Sequence, residues 1–325
     1  MQIKNKIIWW LNFCLILICI LVAVGGITRL TNSGLSIIDW ELIKGIKYPS
    51  DNEMDVYFET YKSTTEYQKY RNSNFAIDDY KYIFFWEYFH RILGRIVGLF
   101  FLIPLVYFSL TKAFSKKQIK TFAKIFLLIC LQGLMGIIMV KTGLGDEGEV
   151  SAIALALHLI LALIIISLIY WNKLKIKYSS LHYKPLVSNK IINQIIFIFF
   201  VQVLFGALCS GLDIGRLFLK ISFIDEFLYN FKNNIPYLIQ LCHIILGTIF
   251  VINVMYFAKN SINNNVLFKY SNILSYISIT QYFIGMLNIV YEVPIVFGVM
   301  HQLLVIIILI VILNLKFLII FSEKK

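Results

Sequence analysis

Residues 87–94 read Glu87-Tyr88-Phe89-His90-Arg91-Ile92-Leu93-Gly94, and residues 240–247 read Gln240-Leu241-Cys242-His243-Ile244-Ile245-Leu246-Gly247. Both contain His-x-Ile-Leu-Gly, and both sit in long apolar runs. Two more landmarks follow in the same order. Gln132-x-x-x-Gly136 is answered by Gln281-x-x-x-Gly285, and Ala156-Leu157-His158-Leu159 by Val299-Met300-His301-Gln302. From 90 to 243, 132 to 281 and 158 to 301 the offsets are 153, 149 and 143 residues. The chain therefore reads as a tandem repeat.

Outward from these strings, 59% of the 325 residues are hydrophobic and the mean hydropathy is +0.77. No water-soluble domain is built this way. A spanning helix needs about 20 mostly apolar residues. Eight such stretches occur, near 7–27, 83–111, 121–141, 150–171, 191–210, 235–258, 270–290 and 295–320. The first carries Lys4 and Lys6 ahead of its apolar run, as a signal peptide would, but ends in Gly25-Gly26-Ile27-Thr28-Arg29 without a small-residue cleavage site, and is read as a retained helix. Four spans separate each landmark from its copy, so the two halves enter the membrane in the same direction, related by an axis along the membrane normal. The expected architecture is an all-α integral membrane protein of eight transmembrane helices, two parallel-repeat four-helix bundles covering 1–175 and 176–325.

The formal charge of +12 raises the question of nucleic acid, and the placement of the charges answers it. With the N-terminus inside, the inner segments hold Lys4, Lys6, Lys112, Lys116, Lys117, Lys120, Lys124, Lys173, Lys175, Lys177, Lys184, Lys190, Lys259, Lys269, Lys316, Lys324 and Lys325, against one inner acid, Glu323. The remaining carboxylates, from Asp39 and Asp79 through Asp213 and Asp225 to Glu292, fall outside or at the outer membrane end. This is the positive-inside pattern with both termini cytoplasmic. The basic excess is a topology signal, and nucleic acid is not an expected partner. Cys14, Cys19, Cys130, Cys209 and Cys242 lie within or at the ends of apolar stretches, where a thiol packs as a small apolar residue rather than as half of a structural disulfide.

The halves differ in their first outer loops. Residues 28–82 are rich in Tyr, Asp, Glu, Asn and Lys and lack a clear apolar run; so long a loop is a small outer cap, a functional element or a mobile insertion. The counterpart, about 211–234, is shorter and includes an amphipathic piece near Phe218–Phe231, expected to lie on the membrane surface.

Ionisable groups inside a bilayer are costly and mark functional positions. His90, His158, His243 and His301 lie six to eight residues inside the outer ends of the second, fourth, sixth and eighth stretches, at a shared depth of about 10 Å. His182 belongs instead to a Lys-rich inner loop. A single intramembrane histidine is as readily an interhelical hydrogen-bonding residue as a ligand. Two per repeat at matched depth favour the axial positions of a haem iron, with the flat macrocycle held between helices. No carboxylate accompanies the second-half pair, which speaks against zinc or a non-haem metal. Gly94 and Gly247, one turn beyond His90 and His243, would leave room for a porphyrin, and close helix packing would also explain them.

One acid breaks the symmetry. Glu87, three residues before His90, has Gln240 as its counterpart. It is read either as a proton acceptor or electrostatic stabiliser of positive charge on the substrate, or as a helix-end acid paired with Arg91 or Arg95. On the first reading the first half does chemistry and the second carries electrons. Arg29, Arg91 and Arg95 near the outer face suit either propionate binding or interfacial anchoring.

The string Gly25-Gly26-Ile27-Thr28-Arg29-Leu30-Thr31-Asn32-Ser33-Gly34-Leu35-Ser36 with Trp40, Glu87-x-x-His90-Arg91-x-x-Gly94, Gln132-x-x-x-Gly136, His158, Gly206-Ala207-x-x-Ser210-Gly211-Leu212-Asp213, His243 and His301 together resemble haem A synthase over nearly the whole chain. The resemblance implies oxidation of the C8 methyl of haem O to the formyl of haem A for a terminal cytochrome oxidase. The substrate haem would bind between His90 and His158 beside Glu87, and a permanent haem b between His243 and His301. With no cysteine in the first outer loop and only Cys209 near the third, the chain is similar to the cysteine-free branch of mitochondrial and proteobacterial members. It also implies a multi-pass protein of the cell inner (plasma) membrane, whose partners are the lipid bilayer, haem O, the farnesyltransferase that makes haem O, cytochrome oxidase assembly factors and a second copy in a homo-oligomer. A different class, a di-haem membrane cytochrome acting purely as an electron carrier, predicts two equivalent haems; the Glu87–Gln240 asymmetry argues against it. A transporter would show broken helices and midplane polar sites.

Overall fold

In a computed structural model of the chain, the structure describes residues 2–39, 44–71, 74–145, 148–179, 182–183, 190–216 and 235–322. Eight of its helices are long and apolar enough to cross a membrane: α1 (Gln2–Leu30), α4 (Ile77–Leu110), α5 (Lys116–Gly143), α6 (Ala152–Lys177), α7 (Lys190–Gly211), α8 (Ile235–Asn260), α9 (Asn265–Val290) and α10 (Ile295–Ile320). Each coincides with one of the apolar stretches read from sequence; 83–111 runs one residue past Leu110 and 150–171 begins two before Ala152. The ends are set by polar residues. Ser115 Oγ accepts from the Gln118 N–H at 3.3 Å while the Gln118 side chain accepts from the Ser115 N–H at 2.9 Å, closing the start of α5. Asn264 caps α9 through the Leu267 N–H.

The structure divides into two compact units, Ile16–His158 and Met1–Leu15 with Leu159–Lys325. In the second of these, α7 packs on α8, α8 on α9, α9 on α10 and α10 back on α7, a closed ring of four helices. Asn314 Nδ2 donates to Tyr170 Oη at 2.7 Å, and a two-residue antiparallel pairing joins His182–Tyr183 to Phe321–Ser322. The amphipathic piece near Phe218–Phe231 lies outside the described residues, as do Trp40 and the side chain of His182.

In the unit Ile16–His158, α4 packs on α5, and the long outer segment forms a small cap of two helices, α2 (Asp51–Lys62) and α3 (Thr65–Tyr70). Its core joins Met54, Phe58 and Tyr61 to Tyr80, Ile83 and Phe84 of α4. Phe58 and Tyr80 stack at 5.2 Å between ring centroids. Each such side chain contributes about 1.5–3 kcal/mol on burial, which holds a segment that lacks any long apolar run. Glu66 is buried at the base of the cap, paired with Arg71 at 2.7 Å and bonded by the Tyr61 hydroxyl. Burial raises the Glu66 carboxyl above its ordinary value, against the pull of Tyr61 and Arg71. Arg71 also donates to the Asn32 carbonyl at 2.8 Å, tying the cap to the turn after α1. The loop after α5 closes on α3: at Gly148, φ is +67° and a Cβ would lie 3.0 Å from the Glu66 amide nitrogen, so only glycine fits.

Candidate haem site

The first histidine pair lies within the unit Ile16–His158. His90 projects from α4 against Gly25 of α1, where a Cβ would stand 3.2 Å from His90 Nε2. His158, near the start of α6, lies against Gly136 of α5, with the corresponding distance 3.6 Å to Cε1. Gln132 Nε2 donates to the His158 carbonyl at 3.0 Å. Gln132 Oε1 and His158 Nδ1 are buried without a hydrogen-bond partner among the described residues, an arrangement native interiors avoid unless a further group is to be met.

The second pair lies within the other unit and repeats these contacts. His243 of α8 lies against Gly206 of α7, and His301 of α10 against Gly285 of α9; a Cβ on the glycines would come within 2.6 and 3.0 Å of the respective Cε1 atoms. Gln281 Nε2 donates to the His301 carbonyl at 2.9 Å. His243 Nδ1 lies 3.2 Å from the Gln202 carbonyl. A carbonyl only accepts, so this contact places the ring proton on Nδ1 and leaves the Nε2 lone pair for a metal. The rings of His243 and His301 are 6.4 Å apart between centroids, their planes at 74°. Two imidazoles on opposite sides of one metal, with bonds of about 2 Å, have centroids about 6 Å apart. The residues therefore fit a haem iron held between two histidines.

Space beside the pairs differs. A Cβ at Gly94 would meet nothing within 4 Å, so that glycine borders open space. At Gly247 the Gln202 amide nitrogen already stands 3.0 Å away, so that glycine accommodates a protein side chain.

Glu87 is 2% exposed. Its Oε2 accepts from Ser36 Oγ at 2.7 Å and the Ile37 N–H at 2.9 Å. Its Oε1 accepts from Arg91 Nη2 at 2.6 Å. Arg91 further donates to the carbonyls of Ile37, at 2.8 Å, and Asp39, at 3.3 Å. Tyr80 Oη donates to the Ser36 carbonyl at 3.0 Å. Glu87 thus holds Ser36 and Ile37 on α4, with Asp39 held by Arg91. Arg95 donates to the Gly45 carbonyl at 3.2 Å, and Arg29 to Asn32 Oδ1 at 3.2 Å. Gln240, at the position matching Glu87, is likewise buried. Sequence reasoning missed Ser36 and the Ile37 backbone as partners of Glu87, and Tyr80 as a donor to the Ser36 carbonyl. The pairing of Gly25 with His90 and of Gly206 with His243 was also missed, although both glycines stand in strings already singled out.

Eight apolar helices define a multi-pass membrane protein, and its paired histidines suit a haem. Residues 8–313 match the model of the cytochrome oxidase assembly protein family, COX15-CtaA. Among curated relatives, the chain is 37% identical to the heme A synthase of Pelagibacter ubique, over 90% of each chain. It is 36% identical to that of Ehrlichia ruminantium strain Gardel, over 90% of this chain and 87% of the relative. With that of Flavobacterium psychrophilum identity is 33%, over 94% of this chain and 95% of the relative. The chain belongs to the COX15-CtaA family of cytochrome oxidase assembly proteins, and its relatives imply a haem.

Proposed function

We propose that the chain is a haem A synthase, which oxidises the C8 methyl of haem O to a formyl group and so supplies haem A to a terminal cytochrome oxidase. The observation that carries this reading is the likeness to proteins named heme A synthase along nine-tenths of both chains. Counted against water, methyl to formyl exchanges two hydrogens for one oxygen and releases four electrons and four protons.

In this reading His90 and His158 hold the iron of the substrate in the half 1–175, and His243 and His301 hold haem b in the half 176–325. Haem b, when bound, supplies a one-electron redox centre. The recurrent His–Gly contacts and the two Gln-to-carbonyl bonds support a parallel repeat of four-helix bundles, and the lysine distribution supports cytoplasmic termini in the inner membrane. The division of labour between the halves follows Glu87 and its counterpart Gln240.

A carboxylate has about four acceptor sites, and three donors already hold Glu87. That favours a fixed electrostatic role over proton abstraction. In a dry site a preorganised negative group stabilises positive charge developing on the substrate carbon. Arg91 holds the carbonyls of Ile37 and Asp39 and Arg95 that of Gly45, and with Arg29 they form the cationic rim for the propionates. The bilayer carries haem O laterally to the site; the farnesyltransferase that makes haem O, oxidase assembly factors and a second copy of the chain are the partners this role calls for. Expression in a host that makes haem O but no haem A tests the reading: formyl-bearing haem is the expected product, and its absence refutes the function.

A further inference from the structure

At the Lys190 end of α7 a cavity of about 520 Å³ opens between α7 and α8, lined by Lys190, Asn193, Gln194, Phe197 and Ile198 of α7 and by Asn253 of α8. That is the size of a small-molecule site. The five α7 residues recur at helical spacing on one face, so depth follows from position: with Lys190 at the rim, Asn193 and Gln194 lie about 5 Å in and Phe197 about 10 Å in. The lining therefore passes from an ammonium through carboxamides to apolar side chains. Lys316 of α10 reaches the same place by donating to Asn193 Oδ1, and an ammonium has two further hydrogens to give. Asn253 Nδ2 donates to the Ile249 carbonyl at 2.8 Å. Among the described residues no carboxylate lines the cavity.

The matching place in the other repeat is apolar. Gly25 and Gly206 each face a histidine ring, and from 25 to 206 the offset is 181 residues, which sets Trp9, Asn12 and Phe13 against Lys190, Asn193 and Gln194. The offset of 153 residues from His90 to His243 sets Phe100 against Asn253. Trp9, Phe13 and Phe100 are exposed, as apolar side chains beside lipid tails are. The fold thus does not itself require an ammonium or the extra carboxamides here. Lys190, Asn193 and Gln194 are exposed as well, and such groups on a membrane-spanning helix are costly unless a polar partner meets them.

We infer that this cavity binds the headgroup of an anionic phospholipid, with Lys190 and Lys316 on the phosphate, the carboxamides on headgroup hydroxyls, and Phe197 and Ile198 against the start of the acyl chains. A free phosphate would satisfy the lysines alone. A cavity that runs from a basic rim onto exposed apolar residues of a spanning helix fits a molecule charged at one end and hydrocarbon at the other, and basic pockets between spanning helices hold such headgroups. Lys175 and Lys177, in the last turn of α6, add positive charge on the same side of the lysine distribution. Bound there, the lipid ties α7 to α8 and α10, the helices that carry Gly206, His243 and His301.

The test is native mass spectrometry of the full chain, purified as expressed and mixed with phosphatidylglycerol, phosphatidylcholine or inorganic phosphate. Unaltered protein retains phosphatidylglycerol in preference to phosphatidylcholine by about tenfold or more, as two basic residues on one net negative charge require. Lys190→Gln or Lys316→Gln lowers that retention by about fivefold, the order one basic side chain contributes beside an anionic headgroup. Lys117→Gln, on another lysine-rich segment, leaves it unchanged. Gln194→Phe combined with Asn253→Phe, which installs the residues of the other repeat, also lowers retention and serves if a lysine variant does not fold, as unchanged haem content reports. Equal retention of the two lipids, or retention indifferent to these substitutions, overturns the site. Displacement of phosphatidylglycerol by an equal concentration of inorganic phosphate overturns the lipid in favour of a soluble phosphate.

Discussion

Glu87 Oε1 and Arg91 Nη2 lie 2.6 Å apart, one turn along the same helix, with both side chains nearly excluded from solvent. Such a pair is fragile in a specific way. Two charges withdrawn from water are tolerable together, whereas removing one leaves the other buried and unpaired, at about 3–5 kcal/mol. Through Ser36, Ile37 and Asp39 the pair also fixes the outer segment that follows α1.

Glu87→Gln and Arg91→Met therefore separate charge from clamping. Glu87→Gln is expected to lower haem A yield by about a hundredfold, the usual loss for one preorganised electrostatic contact, with the haem of the second pair retained. Arg91→Met should loosen residues 33–39 enough for limited proteolysis to detect. The double variant, with no stranded charge, should recover protease resistance but not activity. Recovery of both would make Glu87 a positioning residue only.

The two histidine pairs should respond differently. His243→Ala or His301→Ala should remove the stably bound haem from purified protein, whereas His90→Ala or His158→Ala should keep that haem and abolish product. Optical spectra with extracted-haem analysis decide between the halves. The reverse pattern would exchange their roles.

Gly206 and Gly136 make a paired stability test. At Gly206 an added methyl would stand 2.6 Å from His243 Cε1, and at Gly136 3.6 Å from His158 Cε1. Overpacking of the first kind costs about 1–3 kcal/mol, so Gly206→Ala should lower thermal stability and weaken retention of the second-half haem. Gly136→Ala, at ordinary van der Waals separation, should be near neutral by both measures.

Membrane sidedness is checked by single cysteines placed in 173–190 and in the outer cap. The lysine distribution predicts labelling by an impermeant reagent from the cytoplasmic side for the first and from the opposite side for the second. The opposite labelling would invert the topology.

What the sequence discloses here depends on the range of the forces involved. The eight spans were legible because each is a local run of apolar residues; the helices extend up to six residues beyond the stretches read, as polar ends continue the helical backbone. The histidines were legible because ionisable groups are rare in such runs. The cap over residues 51–70 was not predicted in detail, because its core is assembled from Met54, Phe58 and Tyr61 meeting Tyr80 and Phe84 from another helix. No local period announces that packing. The pairing of Glu87 with Arg91 was one of two partners, Arg91 or Arg95, expected for a helix-end acid, and the structure shows Arg91. The further partners of Glu87, a hydroxyl and backbone groups some fifty residues away, follow only from the folded chain. Gly94 faces open space, whereas at Gly247 the Gln202 side chain of α7 packs close, as the helix-packing alternative expected.

Mass spectrometry of haem extracted from the purified chain, after reduction and supply of haem O, tests the central claim most directly. The account predicts a product in which two hydrogens of haem O are replaced by one oxygen, with the optical signature of a formyl, formed by unaltered protein and not by His90→Ala. Recovery of only unchanged haem O and protohaem from protein that holds both would contradict it, and would identify the chain as a carrier rather than a synthase.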